Sequence, residues 1–353
     1  MYSPSPLLSR VLSIPGFFYG RVMRARGRLY SLGIIAKRRL PNPVISVGNI
    51  TLGGTGKTPL VIHTAKTLLE LGTYPALLSR GYGRGDSGKV RILGPGSRAP
   101  SSPDDLGDEP ALIRRKVPDI WLGISADRYR AACELLRLNS DLTFILDDGF
   151  QHLQLERDLD LLVVDCSQSL AENRLFPGGS LREPLAGMSR AQAIIMNVSA
   201  AGASSEQLVP TLRKFNRRAL LLHCRQVIEC AIPFASWSAG PAADDAGLRE
   251  GDAFLVAAIG NPERFRRDVE NLGIRVCGSR FYRDHHRLSP GEWNECTEDA
   301  RKCGSAFILI TEKDAVKITR SPEFPLLVAV QGVRMPEETE FRDILRQVIG
   351  RRQ

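Results

Sequence analysis

No run of 18 consecutive apolar residues occurs in the 353-residue chain, which argues against a spanning helix. No CxxC pair is present either. The seven cysteines (133, 166, 224, 230, 277, 296 and 303) are odd in number and scattered, so neither a zinc ribbon nor a disulfide scaffold fits. A reduced cytosolic chain does. Internal repeats and low-complexity tracts are also missing. Hydrophobic residues at 43% and charged residues at 25% describe an ordinary globular protein rather than a disordered one. The length suits about two domains.

Acidic side chains are missing from residues 1–40, where Arg10, Arg21, Arg24, Arg26, Arg28, Lys37, Arg38 and Arg39 stand. Those eight account for nearly all of the net charge of +9, leaving a close to neutral globule with a basic N-terminal arm. On a helical wheel Phe18, Val22, Ala25 and Leu29 form one stripe, bordered by Arg21, Arg24 and Arg28 on one side and Arg26 on the other. That is the pattern of a helix lying in a membrane interface, its arginine stems reaching toward headgroups. Pro15-Gly16 separates it from an earlier apolar group (Leu7, Leu8, Val11, Leu12), predicting two short segments rather than one long helix. A secretory signal fits less well, because Val11–Gly20 contains Pro and Gly and no convincing cleavage site follows. A nucleic-acid arm would need further basic surface or a recognised binding module, and the rest of the chain supplies neither. The plain alternative is a helix docked on the protein's own core.

From Pro41 onward strands and helices alternate. Val44–Val47, Ala76–Leu78, Ile120–Leu122, Leu142–Leu146, Leu159–Val164 and Ala193–Met196 are apolar runs without period-two alternation. Such runs suit strands buried on both faces of a mostly parallel sheet. Cys230–Gly251, rich in Ala, Ser, Pro and Gly, reads as a connection, and Ala253–Ile259, Ala306–Ile310 and Leu326–Val330 form a second set of runs. The expected organisation is a basic amphipathic segment (1–40), a P-loop α/β core with helices on both faces of its sheet (41–228), and a linker with a smaller C-terminal α/β domain (229–353).

Thr51-Leu52-Gly53-Gly54-Thr55-Gly56-Lys57-Thr58 lies between a predicted strand and a predicted helix, the context a phosphate-binding loop requires. Glycines let backbone N–H groups turn inward around phosphate oxygens, and the helix N-terminus adds a favourable dipole. Lys57 reaches toward β- and γ-phosphates and the Thr58 hydroxyl suits Mg²⁺. The loop departs from the usual pattern in having Thr51 where the first glycine stands. A second carboxylate is needed near the magnesium, and the strand 142–146 runs into Asp147 and Asp148. Asp147 is the preferred metal partner and Asp148 the next, with Asp165 a competitor of the same form.

These motifs join a longer series. Asn42-Pro43-Val44, the GGTGKT loop, Ser79-Arg80-Gly81-Tyr82-Gly83, Gly107-Asp108-Glu109-Pro110, Asp147-Asp148-Gly149-Phe150-Gln151-His152, Leu181-Arg182-Glu183-Pro184, Asp284-His285-His286 and Thr311-Glu312-Lys313-Asp314-Ala315-Val316-Lys317 follow in order. The series resembles the tetraacyldisaccharide 4′-kinases, the lipid A 4′-kinases of Gram-negative bacteria. The resemblance implies a peripheral enzyme on the cytoplasmic face of the inner membrane. It would move the γ-phosphate of ATP, with Mg²⁺, to the 4′-hydroxyl of an acylated glucosamine disaccharide 1-phosphate bound in a cleft between two domains. The basic arm then gains a reason, since bilayer surface and acceptor are both anionic. No nucleic acid and no obligate protein partner is expected.

The same resemblance gives Asp108 as catalytic base, His285 as its partner, and Arg128 as a phosphate contact. On the residues alone Asp108 also reads as a helix N-cap, His285 as a histidine bonded to Asp284, and Arg128 as a surface arginine of a helix 128–138. His286 is the alternative to His285. Gln151, His152 and Glu183 are secondary candidates, and His63 reads as packing. Lys313 and Asp314 look like the guanine-reading NKxD motif in the wrong register, which favours ATP over GTP. The rival reading is a membrane-associated partitioning or positioning ATPase with a deviant Walker A loop. A soluble kinase or ligase on the same scaffold is a second.

Overall fold

The computed structural model describes residues 6–81, 89–97, 102–199, 204–240, 251–318 and 322–350, with side chains from Leu12 onward. Tyr82 and Gly83 of the third motif, and residues 241–250 of the expected connection, lie outside them. The first lobe comprises α1 (Pro6–Ser31), β1 (Val44–Asn49), α2 (Lys57–Glu70), β2 (Tyr74–Ser79), β3 (Arg91–Leu93), α3 (Pro103–Leu106), α4 (Asp108–Lys116), β4 (Trp121–Ile124), α5 (Arg128–Leu136), β5 (Leu142–Asp147), β6 (Leu159–Asp165), β7 (Ala193–Asn197) and α6 (Val209–Phe215). The strand β8 (Leu220–Pro233) leads to α7 (Phe234–Ala239). The second lobe adds β9 (Ala253–Ala257), α8 (Pro262–Glu270), β10 (Val276–Phe281), α9 (Pro290–Lys302), β11 (Phe307–Thr311), α10 (Glu312–Ala315), β12 (Leu326–Arg334) and α11 (Glu338–Gly350).

All described strands form one sheet in the order β10-β9-β11-β12-β8-β7-β6-β1-β5-β2-β4-β3. Neighbours are parallel except at β3–β4 and β8–β12. Every residue of β1, β5, β7, β9 and β11 is buried, the expected consequence of apolar runs covered on both faces. From α2, Leu60, Val61, Ala65 and Leu68 pack fully buried into the core that this sheet shares with Ile45, Leu77 and Ile145.

β8 carries the chain from one lobe into the other. Leu220–Cys224 runs parallel to β7, and Arg225–Pro233 then runs antiparallel to β12. Position 228/229 falls inside this strand. Cys230–Pro233 is therefore strand and not, as its composition suggested, the start of a connection. Cys230 pairs with Val330 and Ile228 with Gln331, so Glu229 is the extra residue of a β-bulge.

The N-terminal arm also differs from expectation. α1 is one helix of 26 residues with Pro15 inside it, not two segments. Pro15 removes one ladder hydrogen bond, but tertiary docking of the turns that follow holds the helix through it. Gly16 and Gly20 permit the approach: a Cβ on Gly16 would come within 3.0 Å of the Leu175 carbonyl oxygen, and one on Gly20 would overlap the Leu175 side chain. The opposite face is bare. Phe18 and Val22 are each 64% exposed, and Ile14, Phe17, Ala25 and Leu29 are exposed beside them. Docking on the core thus uses a different face from the apolar stripe, which remains unpartnered.

Candidate active site

The loop after β1 turns twice through glycines with left-handed backbones, Gly53 at φ 109° and Gly56 at φ 91°, and Gly56 precedes the first residue of α2, Lys57. The buried Asn49 side chain braces the turn, donating to the Thr51 carbonyl at 2.7 Å and to Thr55 Oγ1 at 2.9 Å. Asn197 of β7 donates to the Thr55 carbonyl at 2.9 Å, and Leu52 N donates to Ser180 O at 2.7 Å. Thr51 itself is buried and bridges Leu181. The loop is therefore anchored at both ends of its curve, while Gly53 and Gly54 stay open, with no atom within 4 Å of where a Cβ would sit.

Lys57 points at Asp148, with 3.4 Å from Nζ to Oδ1, and Arg182 grips the other oxygen of Asp148 at 2.6 Å. Burial alone would push the Asp148 carboxyl up, but these two cations hold it below the usual carboxylate range. Asp147 receives only a 3.3 Å hydrogen bond from Ser79 Oγ. Burial, then the like charges of Glu109 and Asp148, push its carboxyl up to about 7. Tyr19 of α1 donates to the Arg182 carbonyl at 2.6 Å, so the arm touches the segment that holds Asp148.

Across the cleft, His285 Nδ1 donates to Asp108 Oδ2 at 2.8 Å, joining two residues 177 apart in sequence. Asp108 is the first residue of α4, with Gly107 at the cap position, so its side chain is free for this contact rather than capping. Burial would raise the Asp108 carboxyl; the His285 hydrogen bond and the charges of Lys317 and Lys313 outweigh it and hold it low. The same hydrogen bond raises the His285 imidazole against burial and Lys313. Among the described non-glycine residues, Asp148 (φ 50°) and His285 (φ 67°) have left-handed backbones. Both strained residues lie in this site, where such conformations concentrate.

Lys57, Asp147, Asp148, Arg182 and His285 line one cavity of about 800 Å³ between the lobes, and Asp108 adjoins it through His285. Its walls include the Gly53–Thr58 loop, Ser79, Arg128, Asp147, Asp148, Gln151 and Arg182 on one side, and Gly260, Asn261, Asp284, His285 and Lys313 on the other. Tyr19 and Met23 of α1 line it too.

Residues 8–350 match the family described as Tetraacyldisaccharide-1-P 4′-kinase. The chain belongs to that family. It is 35% identical over 315 residues to the tetraacyldisaccharide 4′-kinase of Geobacter sulfurreducens, covering 89% of this chain and 85% of that protein. It is also 35% identical over 328 residues to that of Desulfotalea psychrophila, covering 93% and 92%. The crystal structure of LpxK from Aquifex aeolicus in complex with ATP superposes with a TM-score of 0.76 at 28% identity, covering 97% of this chain and 99% of that one. This kinase is thus a phosphotransferase of lipid A biosynthesis, and the partitioning-ATPase reading is not favoured.

The remaining sequence candidates divide clearly. Arg128 is not the surface arginine its helix suggested: it is 8% exposed, lines the cleft and donates to the Ala126 carbonyl. Gln151 donates to Asn49 O and to Glu183 Oε1, both at 2.8 Å. Glu183 is buried and also accepts from Arg190 at 2.9 Å. These two act as struts behind the loop. His152 is outside the cleft lining, and burial with the charges of Arg128, Arg157 and Arg26 pushes it down to about 4, leaving it neutral. His286 turns away, stacked on Tyr282 and 2.9 Å from Glu292. His63 binds Glu338 at 2.9 Å and faces Phe341. Arg182, Glu109 and Lys313 also line the cleft, and sequence spacing alone assigns them no contact. The runs of charge in LREP, GDEP and TEKD were the available signal.

Proposed function

We propose that this cleft transfers the γ-phosphate of ATP to the 4′-hydroxyl of a tetraacylated glucosamine disaccharide 1-phosphate at a membrane surface. Backbone N–H groups of Gly53–Gly56 and the Lys57 ammonium hold the β- and γ-phosphates. Arg128, at the N-terminus of α5, faces the same cavity as a second phosphate contact. Asp108 accepts the proton as the acceptor O–H bond breaks and the new O–P bond forms. The bond from Pγ to the β-phosphate oxygen breaks, and ADP leaves with that electron pair. His285 donates to the carboxylate oxygen opposite, orienting Asp108 and answering its burial.

Mg²⁺ fits the residues present. No cluster of three or more His, Cys, Asp or Glu among the described residues forms a ready-made metal site. That suits an ion held by one or two protein oxygens together with phosphates. Asp147, buried beside Glu109 and Asp148 and bonded only to Ser79, is a carboxyl whose ionised form a divalent cation would stabilise. Thr58 and Asp147 would hold it; Asp148 is already taken by Lys57 and Arg182. When bound, the ion would neutralise charge on the β- and γ-oxygens.

The exposed face of α1 supports peripheral attachment to the cytoplasmic face of the inner membrane. No helix of the described residues is long and apolar enough to cross a bilayer. The observation that carries the proposal is the 2.8 Å contact of Asp108 with His285, which lines the cleft that also holds the Lys57 loop. Incubation with labelled ATP and the disaccharide acceptor should place label on the lipid. Lys57→Ala and Asp108→Ala should each abolish transfer, with MgATP binding lost in the first and spared in the second. Label appearing at wild-type rates in either variant removes that residue's role.

A further inference from the structure

Lys313 stands at the first turn of α10 and reaches three groups at once. Its Nζ lies 3.3 Å from His285 Nε2, 3.1 Å from Asp284 Oδ1 and 3.7 Å from Glu109 Oε1. An ammonium has hydrogens to give and no lone pair to accept with. A bare Nε2 accepts from that ammonium, whereas a protonated one is repelled by it. With Nε2 bare, the other nitrogen, Nδ1, carries the hydrogen that points at Asp108.

The surrounding motif explains why Lys313 sits there. Thr311 Oγ1 caps α10 by accepting from Asp314 N. Glu312 is buried and takes Lys116 of α4 at 3.0 Å and Gln331 N at 2.9 Å, tying α10 to the helix that begins at Asp108. Asp314 accepts from Ala258 N at 3.2 Å, and the Ala258 carbonyl in turn accepts from His285 N at 3.2 Å. α10 is thus fixed both to the loop of His285 and to the helix of Asp108, with Lys313 between them.

We propose that Lys313 is a positioning residue that opposes protonation of His285 at Nε2 and so favours the neutral ring with its proton on Nδ1, aimed at Asp108. The proposal rests on Asp108 and His285 being the proton-handling pair. Its chemistry is distinct from a simple ion pair, because Asp108 alone favours the doubly protonated imidazolium. The charged groups around His285 are Asp108 and Glu109 from α4, Lys313 and Lys317 from and just beyond α10, and Asp284 and Arg287 from its own loop. Lys313 is the cation in contact with the ring, so its removal frees Nε2 to take up a proton.

The test compares the full-length protein with Lys313→Met and Lys313→Arg. In Lys313→Met, kcat should fall about ten- to hundredfold, part of the about 10²–10⁴-fold that general-base assistance supplies, with the KM for ATP unchanged. The acid limb of the kcat profile should move to higher pH, and Lys313→Arg should keep it in place. Nitrogen-15 histidine spectra of the protein should show His285 as the Nδ1–H tautomer in the wild type and as a protonated ring over a wider pH range in Lys313→Met. An equal loss of rate at every pH, or a wild-type His285 carrying its proton on Nε2, overturns the proposal. His285→Ala is the control. If its activity falls while Lys313→Met is normal, the proposal fails alone; if both are normal, the pairing of Asp108 with His285 fails too.

Discussion

Phe18→Ser combined with Val22→Ser tests whether the bare face of α1 meets lipid. Each side chain is 64% exposed in the folded protein, so about two-thirds of its transfer free energy is still available. Complete burial of a Val or Phe side chain is worth about 1.5–3 kcal/mol. Each residue then contributes about 1–2 kcal/mol on entering the interface, and the pair about 2–4 kcal/mol. At 1.4 kcal/mol per tenfold, that is a loss of about 30- to 700-fold in partitioning. The assay is sedimentation with vesicles of mixed zwitterionic and anionic phospholipid, scored beside thermal midpoint and activity on a short-chain, detergent-free acceptor. Because both side chains already face water, the midpoint should not fall and activity on the soluble acceptor should persist. Arg21, Arg24 and Arg28 on the same side add an attraction of about 1 kcal/mol each to anionic lipid, which salt should weaken. If the double variant sediments as the wild type does, the face does not touch the bilayer and the reasoning from its exposure is wrong.

Two further outcomes follow from the cleft. Gly56→Ala forces a side chain onto a φ of 91°, where its Cβ would overlap Gln226 Nε2 and come within 2.7 Å of Asn197 Nδ2. The backbone alone costs about 1–2 kcal/mol, so a lower thermal midpoint and weaker MgATP uptake by calorimetry are expected, and an unchanged affinity would contradict the loop geometry. The Asp108–His285 pair should also couple the lobes in a pH-dependent way. Asp108 is held low, so its share is lost as pH falls through that lowered value; His285 is held high, so its share is lost as pH rises through the raised one. A double-mutant cycle on Asp108→Asn and His285→Gln should therefore give more coupling near about pH 6 than near about pH 9. Equal coupling at both would show that the contact is not ionic.

Much of this architecture was legible in the chain because most strands are buried on both faces. Val44–Val47 or Leu159–Val164 can be nothing else once a helix must cover each side. β8 and β10 are illegible for the complementary reason. β8 mixes buried, half-buried and exposed positions without a regular period as it passes from one lobe to the other, and every residue of β10 is half-buried. Pro15 misled because a local rule about backbone hydrogen bonding was overruled by contacts with Leu175, more than a hundred residues away. The phosphate loop was readable from spacing because its parts are adjacent in the chain. Asp108 and His285 were not, since only folding brings them together; resemblance named them without giving their geometry. Lys313 went unassigned because its neighbours in sequence look like a nucleotide motif, whereas its partners come from two other segments.

The β8–β12 ribbon has a consequence for how the jaws move. Both walls share one hydrogen-bonded sheet, so they are not free to slide past one another as separately tethered bodies would. A change in gap width has to be made by twisting two strands, and the extra residue at Glu229 marks where that ladder is weakest. The alignment of donor and acceptor is thereby entrusted to the pleat of a sheet rather than to the slack of a linker.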